Sequence, residues 1–341
     1  MTIKIEGVGV VGGFGTGVDA LANACQTRDT KPSKVPVSSD LKNLEAYAYL
    51  AETTLLSEFV AKGVLRRVTH FSRLALLGAR LALKDAGIAN EKMKDMGIIV
   101  ATAYGDSTTN FKFLDYVQDY GDLGVSPLYF TNSVHNSAAS NISIQLGIKG
   151  PCATISQQEL SVASALLTAK RWLDEGRVKK VLFGSVDEYH PVVGYCFKRY
   201  FGECSKVIEP MDFKRQTAVP GEGSAFFVLS NEASDASSKY QMRIKNVILG
   251  RDKGNNILID KNGVLVVGAD GHKNKGENYH KYLSKAHTVS ANSPLYGTIP
   301  ISQGFDIAIS SLTQNVSCDS YQLLKFDCSS CYGLIEMQEG N

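Results

Sequence analysis

The feature that most constrains the fold is an unbroken apolar and small-residue run at residues 97–103 (GIIVATA). A strand that is apolar at every position, rather than every second one, has to be covered on both faces. Residues 8–13 (VGVVGG), 178–186 and 223–229 read the same way. Between such strands lie segments of helical period. Residues 71–87 carry Leu74, Leu77, Leu81 and Ala82 and stop at Gly87, and residues 161–175 are closed by Gly176. The polar, aromatic stretch 106–120 is expected to be helical. Residues 133–146 are expected to form one helix whose small residues (Ala138, Ala139, Ser140) allow close backbone approach. A short strand at 153–156 turns sharply into the 161–175 helix. Strands near 242–249, 264–269, 323–327 and 332–336 and a helix near 305–312 complete the pattern. Alternating strands and helices predict an α/β fold. The polar, serine-rich segment 231–239 is the clear linker, dividing the chain into residues 1–232 and a shorter second half, 240–341.

Composition narrows the function classes. The 341 residues are 44% hydrophobic and 21% charged, which excludes disordered and fibrous chains. Net charge is +2 with lysine and arginine scattered, so no nucleic-acid footprint is expected. No apolar run approaches the roughly 18 residues of a membrane span, and the first 17 residues lack a signal-peptide layout. Seven scattered cysteines point to reduced thiols and a cytoplasmic location. Cys328 and Cys331 form the only CxxC, with no second pair or histidine cluster nearby, so no metal is expected. Gly7, Gly9 and Gly12 satisfy GxGxxG. The valines between them belong to the strand, however, and Gly13, Gly15 and Gly17 delay any helix. A plain strand and turn is the better reading, and no cofactor is expected.

Several motifs then fall in one order. Gly150-Pro151-Cys152-Ala153-Thr154-Ile155-Ser156 runs into an elbow and a helix. Arg73-Leu74-Ala75-Leu76 precedes Asp85-Ala86-Gly87. Gly184-Ser185-Val186-Asp187-Glu188, Pro210-Met211-Asp212 and Gly221-Glu222-Gly223-Ser224 follow. Over residues 5–230 this series resembles the β-ketoacyl synthases. The resemblance implies the thiolase fold: two similar halves in five layers, α-β-α-β-α, dimerising through the strand and small-residue helix beside the active site.

Condensing chemistry needs a thiolate to carry the acyl chain, its pKa lowered at a helix N-terminus. It also needs two imidazoles to drive decarboxylation and hold the enolate oxygen. Counting from Gly150-Pro151 puts Glu159 at the elbow, and no cysteine lies within six residues. Cys152, at the start of the strand, is expected to be a small buried residue. The family's first histidine falls on Asp270 in Val266-Val267-Gly268-Ala269-Asp270-Gly271, with His272 the nearest substitute. The second falls on Phe305 in Pro300-Ile301-Ser302-Gln303-Gly304-Phe305, where Pro300 replaces a lysine. Cys331-Tyr332-Gly333-Leu334 occupies the glycine-rich gating loop, with Tyr332 as its aromatic. The resemblance therefore implies a degenerate site at Glu159, Asp270 and Phe305, with no catalytic residue retained.

Within the family such a chain resembles the chain length factor of type II polyketide synthases. That subunit pairs with an active ketosynthase and shapes the tunnel for the chain borne by an acyl carrier protein. By family position Tyr104, Thr108, Phe111 and Asp115, with a strand around Tyr129, line tunnel and interface. Tyr104 and Tyr129 are equally readable as plain interface core. Chain length factors usually carry glutamine at the elbow; here Gln157 and Gln158 precede Glu159. Glu159 itself is expected to be structural, favoured by the helix dipole by roughly 0.3–1 kcal/mol, or paired with a base of the partner. Two other readings are kept: a decarboxylase or hydrolase using Glu159 and Asp270 as a carboxylate pair, and a stand-alone homodimeric scaffold.

Overall fold

The computed structural model describes every residue except 1, 37–44, 90–92, 122–123, 125, 203–204, 232–238, 255, 313–318 and 341. The first half runs β1 (Ile3–Gly12), β2 (Gly15–Thr16), α1 (Val18–Thr27), β3 (Ser33–Pro36), β4 (Glu45–Ala48), α2 (Lys62–Leu65) and α3 (His70–Asp85). It continues with β5 (Gly97–Ala101), α4 (Ser107–Tyr120), α5 (Pro127–Ser133), α6 (Ser137–Leu146), β6 (Cys152–Ile155), α7 (Ser161–Asp174), β7 (Lys180–Asp187), α8 (Pro191–Phe201) and β8 (Gly223–Ser230). The second half runs β9 (Met242–Arg251), β10 (Val264–Val267), α9 (Gly276–Leu283), β11 (Thr288–Ser290), α10 (Ser293–Tyr296), α11 (Ser302–Leu312), β12 (Ser320–Phe326) and β13 (Cys331–Glu339).

The strand order reveals a repeat. The first half reads β6-β5-β7-β8-β1 across the sheet and the second reads β11-β10-β12-β13-β9. In each, the order by position in the half is third, second, fourth, fifth, first. Parallel and antiparallel pairings also match one for one. A two-residue ladder, Ile3 with Ile244 and Lys4 with Arg243, stitches the two sets edge to edge.

Three apolar clusters follow from this layering. Leu74, Leu77 and Ala82 of α3 and Ile142 of α6 pack on Ile98, Val100, Leu182 and Phe226 of the first set. Helices α7 and α11 lie between the two sets, with Leu166, Phe305 and Ile307 against Phe183, Phe227, Leu323 and Ile335. Tyr279 and Tyr282 of α9 cover Leu324, Phe326 and Leu334 on the far side of the second set. Counted from α3 to α9 these are five layers, α-β-α-β-α, and the two similar halves expected from the sequence are present.

The glycines of the GxGxxG match serve packing. A Cβ on Gly7 would sit 2.3 Å from the Ala82 carbonyl oxygen, and one on Gly9 would sit 2.2 Å from that of Gly78. Both glycines let β1 approach the α3 backbone. The connections of the two halves differ, and one difference uncovers a sheet face. Residues 13–96 between β1 and β5 include α3, whereas residues 252–263 between β9 and β10 hold no helix among the described residues. The outer face of β9, β12 and β13 instead carries Arg243, Lys245, Gln322, Glu336 and Gln338, with Gln322 Nε2 donating to Glu336 Oε1 at 3.1 Å. Antiparallel strands tolerate solvent on one face, so the missing cover is replaced by polar side chains.

Several local expectations change. The helix expected over 133–146 starts only at Ser137, because Ser133 ends α5 and Val134 is extended (φ −81°, ψ 144°). Ala138 and Ala139 are buried against α3 and β5, within this chain. Tyr129 lies in a helix, not a strand: Ser126 caps α5 and Pro127 is pre-set for its first position. Cys152 is exposed rather than buried, because β6 is the edge strand of the sheet. The expected linker, 231–239, lies outside the described residues but for its two end positions. Among the described residues no helix is long and apolar enough to cross a membrane.

Candidate functional site

The site forms where β5, β6 and β7 end. Asp187, fully buried at the end of β7, accepts hydrogen bonds from Thr102 Oγ1 (2.7 Å) and from the backbone N–H groups of Ala103 (3.0 Å) and Tyr104 (2.9 Å). Burial pushes its carboxyl up to about 6 in spite of these donors. The carboxylate thereby clamps the loop that presents Tyr104.

Strand β6 leads into a strained turn. Gln158 takes φ +48°, a left-handed conformation that costs a non-glycine residue on the order of 1–3 kcal/mol. The Ser161 hydroxyl braces the turn: it accepts from the Gln157 N–H at 2.8 Å and lies 2.7 Å from the Gln158 carbonyl oxygen. The left-handed residue of the elbow is thus Gln158, one position before the Glu159 reached by counting from Gly150-Pro151. Glu159 sits on the following 3₁₀ turn, Gln158–Leu160.

Glu159 and Asp270 both meet lysine. Lys275 Nζ donates to Glu159 Oε1 at 2.5 Å and lies 3.9 Å from Asp270 Oδ2. Lys325, fully buried on β12, reaches Asp270 Oδ2 at 3.2 Å and the Gly268 carbonyl at 3.0 Å. Burial works to raise both carboxyls. Lys275 outweighs it at Glu159, and Lys325 with Lys275 outweighs it at Asp270, so both are held below the usual carboxylate range, Asp270 far below. In turn the two carboxylates lift Lys275 above its ordinary value against the opposing effect of burial. The result is a compact ion-pair cluster in which neither carboxyl carries a proton at neutral pH. His272 lies beside it. Burial pushes its imidazole down to about 4, and Gln216 Nε2 donates to its Nδ1 at 2.8 Å.

Phe305 sits elsewhere. It is fully buried on α11, stacked on Tyr296 (centroids 4.9 Å, 19°) and edge-on to Phe14 (5.8 Å). Tyr332 is on the wrong face for a gate. Strand alternation puts Gly333 and Lys325 on the inner face, where Gly333 approaches Ala163 and Leu160. Tyr332 points outward against Phe326 and Gly250, on the α9 side.

A cleft of about 480 Å³ opens directly on the elbow. Tyr104, Phe111, Gln158, Val192, Cys196 and Phe197 line it. The Phe111 ring stacks on His190 (4.6 Å, 15°). Tyr104 and Phe111 are therefore brought together with the elbow. Thr108 and Tyr129 are not: they line a separate groove of about 270 Å³ with Arg66 and Lys112. Tyr129 stacks on Tyr116 at 5.1 Å. Asp115 is exposed further along α4. No group of three or more metal-ligating side chains occurs among the described residues.

Sequence reasoning missed Lys275, Lys325, Cys196 and His190. Only Lys325 had left a signal, as a lone lysine inside an apolar strand (LLKF).

A doubled five-stranded unit about two central helices, with a strained elbow opening on a cleft, defines a thiolase-like ketosynthase fold. Residues 3–235 match the family model of the β-ketoacyl synthase N-terminal domain, and the chain belongs to the β-ketoacyl synthase family. It is 23% identical over 211 residues to a 3-oxoacyl-[acyl-carrier-protein] synthase 2 of Staphylococcus aureus, covering 60% of this chain and 50% of that protein. To the actinorhodin polyketide putative β-ketoacyl synthase 2 of Streptomyces coelicolor it is 27% identical over 244 residues, covering 69% of this chain and 59% of that one. The chain thus spans about half the length of the curated relatives it matches. Among solved structures, the ishigamide ketosynthase/chain length factor is similar over 100% of both chains, with TM-score 0.80 at 16% identity. At that identity the likeness is one of fold.

Proposed function

We propose that this chain is a non-catalytic chain length factor that pairs with an active ketosynthase and limits the length of the chain built there. The observation that carries the proposal is the elbow. Gln158 holds the strained turn from which a nucleophile would project, and an amide cannot exchange a thioester. Asp270, in the ion-pair cluster, and Phe305, packed in the core, are the residues that the sequence match sets in place of the two family histidines. Glutamine at the elbow is also the residue the chain length factors usually carry.

Two surface features support the partnership in this proposal. Among the described residues β6 ends the sheet on one side, and Leu114, Tyr116, Val117, Tyr120, Leu128 and Phe130 are exposed on α4 and α5. An edge strand and exposed apolar side chains each favour association with another chain. An acyl chain reaching the elbow cleft would meet Tyr104 and Phe111. Forcing further methylenes against such rings costs about 1–3 kcal/mol, enough to disfavour another extension. In this proposal the carrier protein acts through the active subunit, in the cytoplasm.

The rival reading, a hydrolase or decarboxylase using Glu159 and Asp270, is disfavoured by Lys275 and Lys325. Carboxylates locked in ion pairs are poor general acids and poor bases. Co-expression with an active ketosynthase encoded beside it tests the proposal. A stable 1:1 complex in native mass spectrometry, with no condensing activity from this chain alone, is expected. Recovery of only a homodimer, or condensation by the isolated chain, would overturn it.

A further inference from the structure

A second cavity, of about 520 Å³, lies away from the elbow, near the C-terminal end of α11, where α1 packs on that helix beside the edge strand β11. Its volume falls in the roughly 300–1,000 Å³ range of small-molecule sites. Val264, Ile309, Leu312 and Tyr321 give it an apolar floor. Two polar groups on the α1 and α11 side lack partners. Ser310 is 1% exposed, and its Oγ has no hydrogen-bond partner among the described residues. A buried hydroxyl left unpaired costs about 1–3 kcal/mol, which a ligand oxygen would offset. Arg28, the left-handed C-cap of α1 (φ +53°), stands exposed at the rim with no ion pair among the described residues. Neighbouring polar groups are already engaged: Asn292 Nδ2 donates to Asp306 Oδ1 at 3.0 Å, and Ser290 Oγ to Asn292 Oδ1 at 3.2 Å.

Apolar depth, a free buried hydroxyl and a guanidinium at the mouth together select an amphipathic anion. Arginine suits carboxylates because its planar fork can take both oxygens. A cationic amphiphile would be repelled by the same residue, and a neutral one would leave the guanidinium unused. We propose that this cavity binds a medium-chain aliphatic carboxylate, with the hydrocarbon against Val264, Ile309 and Leu312 and the carboxylate received by Arg28 and Ser310. The site is independent of the elbow and of any role in chain-length control.

Cys25 supplies a reporter, since its half-buried thiol lines the cavity while Cys152 and Cys328 are exposed elsewhere. The test is calorimetric titration of the full chain with octanoate, octanol and octylamine, followed by iodoacetamide labelling read residue by residue in the mass spectrometer. Saturable octanoate binding with Kd below about 1 mM is expected, weakened roughly tenfold by Arg28→Gln. Bound octanoate should slow alkylation of Cys25 and leave Cys152 and Cys328 unchanged. Absence of saturable binding, equal binding of octylamine, or octanoate affinity unchanged in Arg28→Gln would each overturn the proposal. If Cys25 resists alkylation even in the free protein, calorimetry with Ser310→Val decides: unchanged octanoate affinity would contradict the site.

Discussion

Lys325 Nζ lies 3.2 Å from Asp270 Oδ2, and neither side chain is more than 3% exposed. A buried pair of this kind is held by mutual neutralisation, and removing one member strands the other in a poorly solvated site.

Lys325→Met should therefore destabilise the fold by about 3–5 kcal/mol, since Lys275 at 3.9 Å gives Asp270 only partial compensation. Adding Asp270→Asn should recover part of the loss. Urea denaturation of the two variants reads both values. A cost under about 1 kcal/mol for the single substitution would mean that the charge cluster is solvated.

Glu188 gives a pH dependence of defined sign. Burial, with Asp106 adding to it, pushes its carboxyl up to about 7 from its ordinary value of 4.5. Its folded-state affinity for the proton exceeds that of the unfolded chain. The stability this contributes is complete below about 4.5 and is lost as pH rises through about 7. Asp187 and Asp306, each raised to about 6 by burial, act in the same direction, so Glu188 has to be isolated by substitution. Glu188→Gln keeps an oxygen for the Thr108 N–H, now 2.6 Å away. It should be near wild type in stability at pH 5 and more stable at pH 8 by on the order of 1–3 kcal/mol. Parallel stability curves for the two proteins between pH 5 and 8 would contradict the assignment.

Gly9→Ala should cost about 1–3 kcal/mol by forcing β1 away from α3, where the added carbon would stand 2.2 Å from the Gly78 carbonyl oxygen. Thermal unfolding measures the loss. A variant as stable as wild type would show that β1 can shift freely.

These residues also mark what could be read from the chain without its structure. The buried strands were legible because β5 and β8 are apolar on both faces, which only a covered sheet explains. The elbow was legible as a motif but not to the residue. Position in a string does not reveal which backbone takes the left-handed turn, and Gln158 rather than Glu159 takes it. Tyr332 was misplaced for a related reason, since a shift of one residue along a strand reverses the face. Lys275 comes from a polar stretch (HKNKGEN) that reads as solvated surface. Only the approach of the 3₁₀ turn after β6 to the loop after β10 gives it two carboxylates to neutralise. The helix around Tyr129 has a sequence signature, Ser126-Pro127, an N-cap followed by a proline pre-set for the first turn.

The central claim is that this chain acts by shaping a partner's product, and Phe111 and Tyr104 carry it. The direct measurement is the product-length distribution of the reconstituted pair with an active ketosynthase, comparing wild type, Phe111→Ala and Tyr104→Ala. Opening the cleft beside Gln158 should shift the distribution to longer chains by at least one extension, with complex formation unchanged. An identical distribution from all three complexes would contradict the account.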